Sequence, residues 1–290
     1  MPNPVDQFEQ YRPLMFSIAY RMLGSAAEAE DIVQEAYLRY RSVPSETIGS
    51  HKAFLSTIVT RLCLNQMQTA RAQRETYIGP WLPEPVLTEN DPLTTPTERP
   101  ILIESLSMAF LVLLEQLTPL ERAVFLLREV FEYEYEEIAE IVGKEEAACR
   151  QLLSRARKHV AANRPRFKPS REAHRRLLDR FLRAVSLGEL DGLTRLLRDD
   201  VTMWADGGGK ARGAATRPLH GREAVARFVL ASTRLPGESY HAEIRDVNGE
   251  PALILRTAEK AIVALFLEED EGYIKAIRAI GNPDKLQRVQ

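Results

Sequence analysis

The sequence predicts a multidomain chain in which two all-α helical domains are followed by an α+β domain. Three features predict it. Apolar residues recur at the three-and-four spacing of helices through the first 163 residues. A proline-dense stretch interrupts them at 79–100. Beyond about residue 200 the period shortens to two, the alternation of strands. The 290 residues are 44% hydrophobic and 28% charged, an ordinary globular balance that allows more than one core.

The elements follow in order. Phe8, Tyr11, Leu14, Met15, Ile18, Ala19 and Met22 form the stripe of a first helix. Gly24 and Ser25 break it. Ser25, with Glu28 three residues on, reads as a capping box opening a second helix over 26–41. A polar loop over 42–50 precedes a third helix over 52–74. Six of the seventeen prolines then fall at 80, 83, 85, 92, 96 and 100, a density that blocks helix and favours extended chain. Inside this stretch lies "WLPEP", Trp81 to Pro85, whose tryptophan and leucine are costly to leave in water. It reads either as a loop pinned to the nearest core or as a docking segment for another domain. Helices resume over 101–163, and Pro165 and Pro169 mark a second, shorter linker. A helix over 172–186, a short one over 191–197, a strand in "DVTMWAD" (200–206) and a helix over 222–232 come next. Four strands follow in "YHAEIRDV", "PALILRT", "AIVALFLEE" and "GYIKAIRAIG". The domains are therefore 1–76, a linker over 77–100, 101–165 and 172–290.

Composition excludes several classes. Two cysteines, Cys63 and Cys149, make no disulfide framework, and no cysteine or histidine cluster has metal-ligand spacing, so neither metal nor cofactor is expected. The start "MPNPVDQFEQ" lacks a signal-peptide layout, and the longest apolar-rich run, 108–114, is too short to span a bilayer. No membrane association and a cytoplasmic location are expected.

Charge is segregated locally although the chain totals only −2. Glu136, Glu137, Glu140, Glu145 and Glu146 crowd one half of "YEEIAEIVGKEEAACRQLLSRARKHV" (135–160), and Ala147 to Arg171 contains no acid at all. The same stretch has the spacing of a helix-turn-helix. Ala139 is the small crossing residue, Gly143 the turn, and Cys149 and Leu152 the inward contacts of the second helix. That helix would present Arg150, Gln151, Ser154 and Arg155 outward, side chains suited to base edges and phosphates in a major groove. Arg157 and Lys158 add backbone neutralisation. A second acid-free window, Thr47 to Arg74, offers Arg61, Asn65, Arg71 and Arg74 as a further nucleic-acid face.

Two segments also carry a family resemblance. "YRPLMFSIAYRMLGSAAEAEDIVQEAYLRY" resembles region 2, and "LTPLERAVFLLREVFEYEYEEIAEIVGKEEAACRQLLSRARK" resembles region 4, of bacterial extracytoplasmic-function RNA polymerase sigma factors. The resemblance covers roughly 6–160 and implies partners: core RNA polymerase, through its β′ and β subunits, and promoter DNA. It implies that Asp31, Gln34, Glu35 and Arg39 grip the β′ coiled coil. It also implies that the third helix and its preceding loop recognise and melt the −10 element, while region 4 binds the −35 element as duplex. The third helix departs from the family pattern in carrying Phe54 and few basic residues.

The C-terminal part resembles the SnoaL-like α+β cone found in a subgroup of these factors. "WLPEP", "DGGGK" (206–210) and "NPDKL" (282–286) are its marks. The resemblance implies regulatory contacts among Trp81, Leu82, Pro83, Asp206, Lys210, Asn282, Pro283, Asp284 and Lys285, and such cones leave room for an unidentified small ligand. An enzymatic reading draws on Trp204, Asp206, His220, Tyr240 and His241, since an Asp–His pair in a dry pocket abstracts protons. The bland reading is that Asp206 starts the glycine turn and His220 caps the helix after Gly221, and the residues favour it. The function expected is promoter-specific initiation tuned by the fused third domain, with no chemistry of its own. The alternatives are a stand-alone helix-turn-helix regulator, or a small-molecule isomerase or hydrolase in the C-terminal domain.

Overall fold

The computed structural model describes residues 4–89, 100–163, 170–233 and 240–290. The described residues up to Glu75 and from Pro100 to Asn163 form one compact unit. Thr76–Glu89 joins the described residues from Ser170 onward in a second. The two helical domains read separately in the sequence thus pack together, and the predicted linker divides, its first part belonging to the second unit. Pro92 and Pro96 lie outside the described residues, as do Pro165 and Pro169.

The first unit is all helical. Its N-terminal lobe contains α1 (Pro4–Leu23), α2 (Ala26–Arg41) and α3 (His51–Glu75). Phe8, Met15, Ile18, Ala19 and Met22 are buried, as the stripe requires. Ser25 caps α2, its hydroxyl accepting from the Glu28 amide at 3.2 Å. The second lobe contains α4 (Pro100–Glu104), α5 (Met108–Leu114), α6 (Pro119–Phe125), α7 (Tyr135–Val142) and α8 (Glu146–Asn163). Thr118 and Glu121 form a reciprocal capping box at α6, which runs into a π-helical turn over Leu126–Val130.

Polar side chains at helix ends join the lobes. Arg21 is fully buried and donates to Ser105 Oγ at 2.7 Å and to the Leu102 carbonyl at 2.9 Å. Burial lowers its pKa to about 9, so it stays cationic at neutral pH and needs those acceptors. Arg122 donates to the Met22 carbonyl at 2.5 Å and pairs with Glu115, which also holds Arg74. The hydroxyls of Ser56 and Tyr133 meet at 2.6 Å. Arg61 donates to the Glu140 and Ile141 carbonyls at 2.7 and 3.0 Å, at the C-terminal end of α7 where the helix dipole favours a cation.

The second unit is α+β. Its elements are α9 (Arg171–Ser186), α10 (Leu190–Thr194), β1 (Leu197–Asp206), β2 (Leu219–His220), α11 (Arg222–Ser232), β3 (His241–Val247), β4 (Glu250–Arg256), β5 (Ala261–Asp270) and β6 (Tyr273–Ile280). One sheet has the order β2-β1-β6-β5-β4-β3; β1 and β6 run parallel and the other neighbours antiparallel. Val201 and Met203 of β1 join a core with Leu177, Leu178 and Phe181 of α9, Val225 and Val229 of α11, and Ile277 of β6. Helices therefore cover one face of the sheet, the layout that the SnoaL-like resemblance implies. The short helix predicted over 191–197 ends at Thr194, because Leu197 already begins β1. The strand β2 has only two residues, too few to show alternation in the sequence.

His174 of α9 is also buried. Desolvation lowers its pKa. In the window between that lowered value and the unfolded value of about 6.5, only the unfolded chain takes up the proton. Stability from this group is thus fully present above the unfolded pKa and declines as pH falls through the window. Urea midpoints measured between pH 7.5 and 5.5 should fall more steeply for the wild type than for His174→Leu; equal slopes would remove His174 from this account.

Candidate functional site

The helix-turn-helix forms as its spacing requires. Gly143 ends α7 in the left-handed region, at φ 65° and ψ 45°, where a side chain would be strained. The Lys144 amide then closes back on the Ala139 carbonyl at 3.0 Å. Cys149 is fully buried as expected. The next inward residue is Leu153 and not Leu152, which is half-buried. The buried face of α8 runs Cys149, Leu153, Ala156, Val160, steps of four, three and four that rotate it past Leu152.

The opposite face of α8 is polar and exposed. Gln151, Ser154, Arg155 and Lys158 lie at i, i+3, i+4 and i+7, one stripe along the helix. None of the four has a hydrogen-bond or ion-pair partner among the described residues. Arg150 beside them pairs with Glu146 at 2.7 Å and lies 4.5 Å over the Tyr135 ring, and Arg157 pairs with Glu129 at 2.7 Å.

Residues from α3 are placed differently. Asn65 is exposed, but Arg61 and Arg74 take part in the bonds that join the two lobes. Desolvation lowers the pKa of Arg74, which also donates to the Leu23 carbonyl at 2.7 Å. The side chain of Arg71 lies outside the described residues.

On α2, Asp31, Gln34 and Arg39 are exposed and Glu35 half-exposed, with Arg39 bonded to Glu35 at 3.0 Å. Sequence reasoning passed over an exposed apolar residue beside them. Leu38 is 55% exposed and completes an i, i+3, i+4, i+7 face with Asp31, Gln34 and Glu35. Its break from the apolar periodicity of α2 was the available signal.

Residues 76–89 form a strap on the second unit. The Leu82 amide donates to Asp206 Oδ2 at 2.8 Å, the Tyr77 hydroxyl to Oδ1 at 2.5 Å, and Lys285 Nζ to Oδ2 at 2.7 Å. Lys285 also donates to the Leu82 carbonyl at 2.5 Å and stands over the Trp81 ring at 4.1 Å. Asn282 donates to the Tyr77 hydroxyl at 2.8 Å. Asp206 has no accessible surface, and Leu82, Pro83, Glu84, Pro85 and Val86 are buried. Farther along, the Val86 amide donates to Asn248 Oδ1 at 3.0 Å, and Leu87 bridges to Val247. Gly208 has φ +57°, and a Cβ there would run into Asn282 and Tyr77, so the glycine turn is what lets the strap in. Lys210 pairs with Asp284 at 2.5 Å on the rim, and Pro283 opens the turn carrying Asp284 and Lys285.

The hydrolase-like constellation does not assemble. Both Asp206 oxygens accept bonds from the strap and Lys285, whereas His220 is exposed and contacts Thr202 Oγ1 at 3.2 Å, four residues back along β1. Nor does His220 cap α11, whose N-cap, Gly221, has no side-chain bond. Tyr240 bonds the Thr233 carbonyl, His241 is exposed, and Trp204 carries Arg278 over its ring at 5.3 Å. Among the described residues no group of three or more His, Cys, Asp or Glu is placed to hold a metal, and no helix is long and apolar enough to cross a membrane.

Comparison with known proteins agrees with this geometry. Residues 7–73 match the family Sigma-70 region 2, and residues 107–160 match Sigma-70, region 4. The ECF RNA polymerase sigma factor SigJ of Mycobacterium tuberculosis is 39% identical, the match covering 97% of this chain and 92% of that protein. The probable ECF RNA polymerase sigma factor SigI of the same organism is 30% identical, covering 95% and 92%. The crystal structure of M. tuberculosis SigJ superposes with a TM-score of 0.75 at 36% identity, covering 97% of both chains.

Proposed function

The chain belongs to the extracytoplasmic-function RNA polymerase sigma factors, and from that premise we propose how its parts divide the work. It associates with RNA polymerase, binds DNA and directs transcription initiation. The finer assignments are these. Asp31, Gln34, Glu35 and Arg39, together with Leu38, dock on the β′ subunit, with further contacts to β. The stripe Gln151, Ser154, Arg155 and Lys158, with Arg150 and Arg157, reads the −35 duplex. Asn65, Arg61, Arg71 and Arg74 belong to the −10 face, and Arg61 and Arg74 reach DNA only after leaving their present partners. The compact helical unit is a resting arrangement, which docking on polymerase opens.

The third domain regulates by holding the strap, and it performs no chemistry. Supporting this is the Asp206 carboxylate: both oxygens are engaged by Tyr77, Leu82 and Lys285, so it is not available as a base. The protein works in the cytoplasm, where polymerase and promoter are.

The test is run-off transcription with core polymerase, together with a measured affinity for it. Asp31→Lys with Glu35→Lys should weaken the association by roughly tenfold or more, the effect of about 1.5 kcal/mol from close charge pairs. Leu38→Ala should weaken it by roughly thirtyfold, as expected for an apolar anchor worth about 2 kcal/mol. Truncation after Arg171 should change transcript yield. Undiminished association in both α2 variants would remove the docking assignment. Unchanged yield from the truncated chain would remove the regulatory one.

A further inference from the structure

A cleft on the second unit is lined by Arg176, Arg180 and Arg183 of α9 and by Arg195 at the end of α10, together with Asp179 and Glu189. Four arginines against two carboxylates make it cationic in a chain whose total charge is −2. Arg176 pairs with its own helix through Glu172. Arg180, Arg183 and Arg195 are exposed, and their side chains have no hydrogen-bond or ion-pair partner among the described residues. The burial of Leu177, Leu178 and Phe181 fixes the other face of α9, so Arg180 and Arg183 cannot rotate inward without unpacking the core.

We propose that this arginine face of the third domain binds the phosphate backbone of duplex DNA. Arg176 to Arg183 spans about 10 Å of helix axis, close to the rise of about three base pairs. Guanidinium groups match phosphate oxygens bidentately. A small anionic ligand suits the site less well, because sites for small molecules bury most of the ligand and these three arginines stand in solvent. The proposal rests on the reading that the other domains hold promoter DNA. Once they do, the third domain meets the same duplex at high effective concentration, and contacts weak in isolation contribute.

The test compares full-length wild type with the triple variant Arg180→Ala, Arg183→Ala, Arg195→Ala, in complex with core polymerase on promoter fragments with and without DNA extending upstream of the −35 element. Circular dichroism and the unfolding midpoint verify the fold. Each lost phosphate contact lowers the slope of log affinity against log salt by about 0.9, so the variant should lose roughly 2 to 3 from the slope on the fragment long enough to reach the face. Promoter preference should be unchanged. Equal slopes for the two proteins on both fragments would overturn the proposal. So would weaker association with polymerase at an unchanged salt slope, which would assign the face to an acidic protein surface. Stabilisation of the wild type alone by millimolar inorganic phosphate or pyrophosphate, with equal slopes, would also overturn it and assign a small-anion site. Wild-type run-off transcription keeps this outcome separate from the premise: if the wild type fails to direct initiation, the functional assignment fails, whatever the slopes.

Discussion

Asp206→Ala is expected to destabilise the second unit by about 3–5 kcal/mol and to release the strap in the same step, the cost of removing one partner of a buried ion pair. The carboxylate has no accessible surface and accepts three bonds, from Tyr77, Leu82 and Lys285. Removing it takes the Oδ2 partner from the Lys285 ammonium, which keeps among its neighbours the Leu82 carbonyl and the Trp81 and Tyr77 rings. It also leaves the Leu82 amide and the Tyr77 hydroxyl without an acceptor. That hydroxyl stays a donor at any physiological pH, because burial, and then the bond to Asp206, push its pKa up. Asp206→Asn keeps the shape and loses the charge, so it should fall between the two. Urea unfolding reports the loss, and limited proteolysis between Tyr77 and Glu89 reports the strap. A variant with an unshifted midpoint and a protected strap would show that the ion pair holds nothing in place. If the strap carries regulation, the same variant should also change transcript yield with core polymerase.

How far this site was legible in the sequence depended on the kind of information it required. Trp81 and Leu82 stood out because apolar side chains in a proline-rich stretch need cover. Nothing local could say that their cover lies at Asp206 and Lys285, more than a hundred residues away; the family resemblance supplied that pairing. The helices of the first unit were readable from stripes and caps, and Ser25 with Glu28 marked the start of α2. The joining of the two helical lobes was not readable. It depends on Arg21, Arg61 and Arg122 donating to backbone carbonyls of the other lobe, and a carbonyl has no signature in a sequence. For the same reason Arg61 and Arg74 looked like free cations. The inward residue of α8 was misplaced by one position because a spacing rule fixes the helix face only to within one position, while packing chose Leu153.

The stripe on α8 makes a graded prediction that a merely basic face would not. Arg155 is exposed and its side chain is unpaired among the described residues, so the guanine contact proposed for it requires no bond to be broken first. Arg155→Ala should weaken promoter binding by about 1–3 kcal/mol, roughly 5- to 150-fold, and relax the preference at one base position. Arg150 starts from a pair with Glu146 and a place over Tyr135. Giving these up offsets part of its gain on DNA, by up to about 1 kcal/mol for an exposed pair, so Arg150→Ala should cost less than Arg155→Ala. Lys158→Ala should lower affinity about equally for all sequences and reduce the salt slope by about 0.9. Affinity measured across single-base promoter variants at several salt concentrations separates the three. A common loss for all three variants, with no change in base preference, would mean that α8 only neutralises phosphate and that sequence is read elsewhere in the chain.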